Sequence, residues 1–171
     1  MKKLLKELYP YIIIVIVVLL VKHFLVAPVR VVGPSMEHTL LNGDIMILDK
    51  ISYRFSEIKR FDIVVIDSES SLIIKRIIGI PGDYIKYKDN KLYINDEYYK
   101  EDYLDGDTIT GDFSLKEITK KDKIPEGYYF VLGDNREESK DSRMIGLIKK
   151  EQIQGKAKLT LFPFSRMGIK K

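Results

Sequence analysis

The chain is predicted to be mainly β: an N-terminal helix followed by an all-β body that carries a short peripheral β excursion. Three observations support this. Residues 11–21 are unbroken apolar or aromatic residues, and after Lys22 and His23 the run resumes at 24–27. Beyond it lie short runs rich in β-branched and aromatic residues at 45–48, 62–67, 72–80, 84–87, 91–95, 128–132 and 156–162. Turn formers separate these runs, as in Asn42-Gly43-Asp44, Pro81-Gly82-Asp83, Asp89-Asn90 and Gly133-Asp134-Asn135. No long stretch of the body repeats apolar residues at helical spacing, and strands at this density predict a barrel or sandwich rather than a βαβ sheet.

The first element reads as a transmembrane anchor over 11–27. Its apolar length is close to the ~20 residues that a bilayer needs, and Lys22, near the helix end, can extend its charge to the headgroups. Lys2, Lys3 and Lys6 precede it with only Glu7 opposing them, which predicts a cytoplasmic N-terminus over 1–10 and an extracytoplasmic body over 28–171. A cleavable signal peptide shares the basic start, but its small-x-small cleavage pattern is absent: Leu25 lies two residues before Ala27, and Pro28 follows it. A buried soluble helix is the remaining alternative. Within the body, residues 96–123 are more polar and contain Gly106 and Gly111, as expected of a peripheral hairpin. At 171 residues the chain holds one globular core plus this appendage.

Composition removes several function classes. There is no cysteine, which excludes disulfides, thiol catalysis and cysteine-ligated metal. The balance of 29 Lys+Arg against 25 Asp+Glu leaves a scattered net charge of +4, so no nucleic-acid partner is expected. The two histidines, His23 and His38, are too far apart in sequence to suggest a histidine-rich metal site, and no metal or other cofactor is expected.

Three stretches carry candidate chemistry. Gly33-Pro34-Ser35 is a rigid small-residue turn able to present a hydroxyl and its backbone N–H, although serine in such a turn is commonly only a turn residue. His38, three residues on, is a candidate base for it. In the apolar run 72–80 strand alternation puts Ile73, Lys75 and Ile77 on one face and Ile74, Arg76 and Ile78 on the other. If the Lys75 face is buried, desolvation lowers its pKa from about 10.4 towards the range useful to a base. If the run is an edge strand, the two cations merely discourage aggregation. The loop 133–143 crowds opposite charges and hydroxyls, which suits bracing by ion pairs and suits a solvated loop equally well. A calcium loop fits poorly, since Arg136 stands where an oxygen ligand is needed.

Taken together these stretches resemble the bacterial type I signal peptidases, membrane-anchored Ser-Lys endopeptidases. The resemblance spans essentially the whole chain: the N-terminal anchor, Ser-Met-x-x-Thr-Leu at 35–40, Arg-Phe-Asp-Ile-Val-Val from Arg60, Lys-Arg-x-x-Gly-x-Pro-Gly-Asp at 75–83, and Gly-Asp-Asn-Arg-x-x-Ser-x-Asp-Ser-Arg at 133–143. It implies that Ser35 is the nucleophile and Lys75, as a neutral amine, the general base, with Ser139 hydrogen-bonding and orienting the lysine. It implies structural support from Arg76 paired with Asp134, and from Asp141 and Arg143. Val29, Val31, Met36, Leu40, Ile73 and Ile74 match residues lining shallow pockets for small side chains. An Ala-x-Ala-type segment of an exported preprotein's signal peptide would dock there as an added strand. The backbone N–H of Ser35 is implied as an oxyanion donor; the serine that some relatives carry two residues earlier is Gly33 here.

The resemblance further implies a signal-peptidase or LexA-like all-β core, an excursion at about 84–124, and a single-pass protein of the cell membrane whose partners are signal peptides and the lipid bilayer. Two positions depart from the family pattern: Phe61 where glycine is common, and His38 where proline is usual, a change that would loosen the turn aiming Ser35. A self-cleaving Ser-Lys regulator and a non-catalytic anchored homologue are the alternatives.

Overall fold

In a computed structural model the protein is described over residues 2–24, 26–68 and 71–170, with the side chains of 2–6 and 19–24 outside the description. The chain opens with α1, Lys2–Phe24, of 23 residues. The helix stops short of the predicted anchor boundary at 27, because Val26 and Ala27 already belong to β1, Val26–Arg30. Pro28 explains the early stop: its ring disfavours helix at the residue before it, and its missing N–H is tolerated in an edge strand. The side chains of α1 that are described include exposed Leu8, Tyr11, Ile12, Ile14, Val15 and Val18. Among the described residues no helix is long and apolar enough to cross a membrane, and positions 19–25 of the predicted anchor lie outside the described side chains.

The body continues with β2, Ile45–Asp49, the single turn α2, Ser52–Phe55, β3, Ile63–Ser68, and β4, Ser71–Gly79. Then come β5, Ile85–Lys88, β6, Lys91–Ile94, β7, Glu97–Tyr99, β8, Phe113–Ser114, and α3, Leu115–Thr119. The last elements are β9, Tyr128–Leu132, α4, Ser142–Ile145, β10, Ile148–Lys149, β11, Ile153–Phe162, and β12, Gly168–Ile169. Each predicted strand run overlaps one of these strands, with Asp62, Ile80, Tyr84 and Asn95 lying just outside them. The strand β1 was not anticipated because its first two residues were assigned to the anchor, and β7, β8, β10, β12 and the short helices α2 to α4 are too short to show a period.

Among the described residues the strands form an 8-stranded sheet in the order β1-β2-β11-β3-β4-β9-β10, with β12 on β11, and a 4-stranded sheet in the order β7-β6-β5-β8. No pairing joins β1 to β10, so the larger sheet has two edges rather than the closure of a barrel. The strand β4 lies between β3 and β9. Among the described residues β9 pairs with it along Arg76–Gly79, while along Ser71–Lys75 only β3 does. The edge-strand alternative, in which both cations face solvent, is overturned by their burial, Lys75 at 3% and Arg76 at 0% exposure.

The near-continuous apolar runs of β3 and β4 are explained by packing on both faces. Ile63, Val65 and Ile74 enter one core cluster with Val31, Met36 and Leu40. Val64, Ile66 and Ile77 enter another with Tyr129 and Val131. A third cluster joins Ile78 to Ile85, Tyr87, Leu92 and Phe130 and seats the smaller sheet on the larger. Gly79 permits this approach, since a Cβ there would lie 2.2 Å from Ile85 Cδ1 and 2.5 Å from Ile124 Cδ1.

Candidate active site

Ser35 sits on a tight turn between β1 and β2. Glu37 N–H donates to Pro34 C=O at 2.8 Å and Leu40 N–H to Met36 C=O at 2.8 Å, while Met36 and Leu40, at 1% and 0% exposure, bury the turn's apolar side. Burying those two side chains turns the hydroxyl of Ser35 the other way, into an open cavity of about 680 Å³. Lys75 reaches the same cavity from the middle of β4, and its Nζ lies 2.6 Å from Ser35 Oγ. Nζ also donates to the Ile74 carbonyl at 3.1 Å. With only 3% of its surface exposed, Lys75 is held by desolvation at a pKa of about 8, against the weaker opposing pull of the carboxylates of Asp141 and then Asp134. A large share of the amine is therefore neutral near pH 8 and able to accept the hydroxyl proton. Among the described residues Ser35 N–H has no backbone partner, which leaves it available to a developing oxyanion.

The loop 133–143 holds the Ser35 turn and β4 together. Gly133 lies directly under the Ser35 turn, where a Cβ would be 2.3 Å from Ser35 C=O and 2.2 Å from Ser139 Oγ. Two residues on, Asn135 N–H donates to Ser35 C=O at 3.1 Å. Asp134 accepts Arg76 Nε at 2.9 Å and Arg76 Nη2 at 2.6 Å, a fork-to-fork pair with both side chains essentially fully buried. Asp141 caps α4, accepts Gly133 N–H at 3.0 Å, and binds Arg143 through two guanidinium contacts of 2.9 and 2.8 Å. Ser139 is buried, but among the described residues its Oγ has no hydrogen-bond partner. The bond to Lys75 implied by the resemblance is thus not formed here; the lysine's neighbours are Ser35 Oγ and the Ile74 carbonyl.

The six apolar positions are distributed unequally. Ile73 lines the cavity beside the dyad. Val31, Met36, Leu40 and Ile74, each 8% exposed or less, are in the core cluster behind the Ser35 turn, and Val29 packs against it. Gly33 lines the cavity at φ +89, and its N–H donates to Asn42 Oδ1 at 3.2 Å.

His38 is no part of the dyad. It is half exposed, and its Nδ1 is 2.5 Å from Asp105 Oδ2 in the excursion. Its φ of +78 is closed to proline, whose ring fixes φ near −65°. The expectation of a proline turn loosened by histidine is therefore replaced by a differently shaped turn. Phe61 has φ +69, which accounts for the glycine expected at that position. Its carbonyl accepts Arg76 Nη1 at 3.0 Å, so its part in the site is through the backbone.

Several supporting residues had no role assigned from the sequence. Thr39 Oγ1 donates to Asp134 Oδ2 at 2.6 Å and ties the Ser35 turn to the buried ion pair. Arg76 lies 3.9 Å over the Tyr103 ring. Arg136, its side chain fully buried, donates to Glu101 at 2.6 Å, Thr110 at 2.8 Å, Tyr87 Oη at 3.0 Å and the Gly133 carbonyl at 3.0 Å. The spacing of Tyr87, Glu101, Tyr103 and Thr110 carries no signal; the motif residues Thr39 and Arg136 were the clues.

Comparison with known proteins is consistent in kind. The family model described as "Signal peptidase, peptidase S26" matches residues 4–162. A signal peptidase I of Bacillus caldolyticus is 41% identical over 170 residues, which cover 94% of this chain and 93% of that protein. A signal peptidase IB of Staphylococcus aureus is 39% identical over 94% of this chain and 92% of its own length. The crystal structure of a signal peptidase I from Enterococcus faecalis superposes with a TM-score of 0.54 at 39% identity, covering 59% of this chain and 97% of that one.

Proposed function

The chain belongs to the signal peptidase family, peptidase S26, and is a serine endopeptidase; from that premise we propose that it removes N-terminal signal peptides from exported preproteins after an Ala-x-Ala-type site. The single observation that carries this reading is the 2.6 Å contact between Ser35 Oγ and the buried, pKa-lowered Lys75 Nζ at an open cavity.

Lys75, as a neutral amine, takes the Ser35 hydroxyl proton as Oγ attacks the scissile carbonyl. The negative charge that forms on the carbonyl oxygen is stabilised by Ser35 N–H. Lys75 then returns the proton to the leaving amine, which leaves an acyl group on Ser35. A water, deprotonated by the same amine, releases the signal peptide's new carboxyl end and restores the hydroxyl. Ser139, buried with a free hydroxyl, is available to the ammonium that forms on Lys75. Ile73 contacts the small side chains of the substrate, while Val29, Val31, Met36, Leu40 and Ile74 shape the wall behind it.

In this reading α1 is the anchor, with residues 1–10 cytoplasmic and the body from residue 28 outside the cell. The exposed apolar side chains between Leu8 and Val18 and the preceding lysines support that topology. Incubating the chain with a preprotein alongside Ser35→Ala and Lys75→Ala tests the assignment. Each substitution is expected to abolish cleavage, by about 10²- to 10⁴-fold for the base. Equal cleavage by all three proteins would refute the Ser35–Lys75 assignment, and no cleavage by the unsubstituted chain would favour the non-catalytic homologue.

A further inference from the structure

We propose that a basic cavity at the anchor side of the main sheet, formed by Lys50, Arg54 and Lys150, binds the phosphate of an anionic lipid headgroup, with Phe55 entering the adjoining apolar layer. The proposal rests on the reading of α1 as a membrane anchor.

The location follows from strand register. In β1, Val26, two residues after the last residue of α1, is paired with Asp49 of β2, and Asp49 is paired in turn with Lys156 of β11. Neighbouring strands lie about 4.8 Å apart, so Lys156, three residues after the start of β11, is roughly 10 Å from the strand into which α1 runs. The chain passes from Asp49 into Lys50 and α2 at this same end of the sheet, and from the turn 150–152 into β11. Between these two segments lies a cavity of about 460 Å³.

The chemistry of the cavity is that of a phosphate site. Lys50, Arg54 and Lys150 line it against the lone carboxylate of Glu151, and among the described residues none of the three cations is in an ion pair. Other cation–acid contacts nearby are already satisfied within the fold, since Lys156 pairs with Asp62, which also accepts Tyr53 Oη at 2.8 Å. The cavity's rim is fixed rather than floppy: Asp49 accepts the N–H groups of Ile51 and Ser52, both at 2.9 Å, and so holds the turn that presents Lys50 and Arg54. Beside Arg54, Phe55 is 85% exposed. An aromatic side chain next to unpaired cations, close to the end of a membrane anchor, is the composition favoured at a headgroup layer.

The cavity also adjoins the catalytic one. In the turn 150–152, Lys150 faces the basic cavity and Gln152 the cavity of Ser35 and Lys75. A phosphate held by Lys150 therefore sets the height of the cleft above the membrane surface.

The test uses the full chain reconstituted in bilayers of phosphatidylcholine alone or mixed with phosphatidylglycerol, read by amide hydrogen exchange over 50–55 and 150–154. Exchange there is expected to slow by at least about tenfold in the mixed bilayers only. The triple variant Lys50→Gln, Arg54→Gln, Lys150→Gln should remove the difference, while its cleavage of a short soluble peptide in detergent stays unchanged. A parallel alkaline carbonate wash keeps the two readings apart. Release of the chain would refute the anchor and the proposal with it. A retained chain with equal exchange in both bilayers would refute the headgroup site alone. The same slowing in phosphatidylcholine on adding inorganic phosphate, or only on adding a preprotein, would overturn the lipid assignment in favour of a free anion or an acidic peptide.

Discussion

Lys75 carries the pH dependence of the site. With burial holding its pKa at about 8, the acid limb of peptide cleavage is expected to inflect near pH 8, well below a free lysine. The sign for stability follows from proton counts. Between about 8 and the ordinary 10.5 the unfolded chain holds a proton that the folded chain lacks, so stability rises with pH through that window. Below it the buried amine costs roughly 3 kcal/mol relative to an unshifted lysine. Lys75→Met is thus expected to raise the denaturation midpoint at pH 7, with the gain shrinking above pH 8, while eliminating activity. At His38 the positive φ decides the outcome. His38→Gln should retain most activity and His38→Gly should be tolerated, whereas His38→Pro should lower the thermal midpoint and the rate together. Loss of activity in His38→Gln comparable to that in Lys75→Ala would restore the histidine as base.

The turn bearing Ser35 and the strand bearing Lys75 are forty residues apart in sequence, and the loop 133–143 fixes their separation. Gly133→Ala should move the Ser35 carbonyl, because the added Cβ meets that backbone oxygen at 2.3 Å as well as the Ser139 side chain. Turnover in that variant is expected to fall by more than any change in substrate KM, measured with a short peptide. Asp134→Ala leaves Arg76 buried without its partner, and breaking such a pair costs about 3–5 kcal/mol, readable as a drop in the urea midpoint. These strands and turn residues were legible in the sequence, since periodicity and Gly-Asn-Asp turns report local backbone. The shorter strands and the partners of Arg136 were not, because two- and three-residue elements are made by the neighbours they pair with.

At the scale of the whole molecule the excursion is more than an ornament: Glu101, Tyr103 and Thr110, in the segment between β7 and β8, receive the arginines of the loop 133–143 and of β4. Glu101→Ala should therefore lower activity from a distance of many residues, and Glu101→Gln, which keeps a hydrogen-bond acceptor, should recover part of it in the same peptide assay. The sequence by itself determined the β character of the body, the apolar N-terminal helix, the turn positions and the serine and lysine, since each depends on local pattern or on an ordered set of motifs. Tertiary structure alone decided that β4 is interior, that Lys75 is desolvated beside Ser35, that His38 turns to Asp105 instead, and that Ser139 leaves its hydroxyl free. Burial and distance are properties of the assembled sheet, because a strand's period assigns side chains to two faces without stating what covers either one.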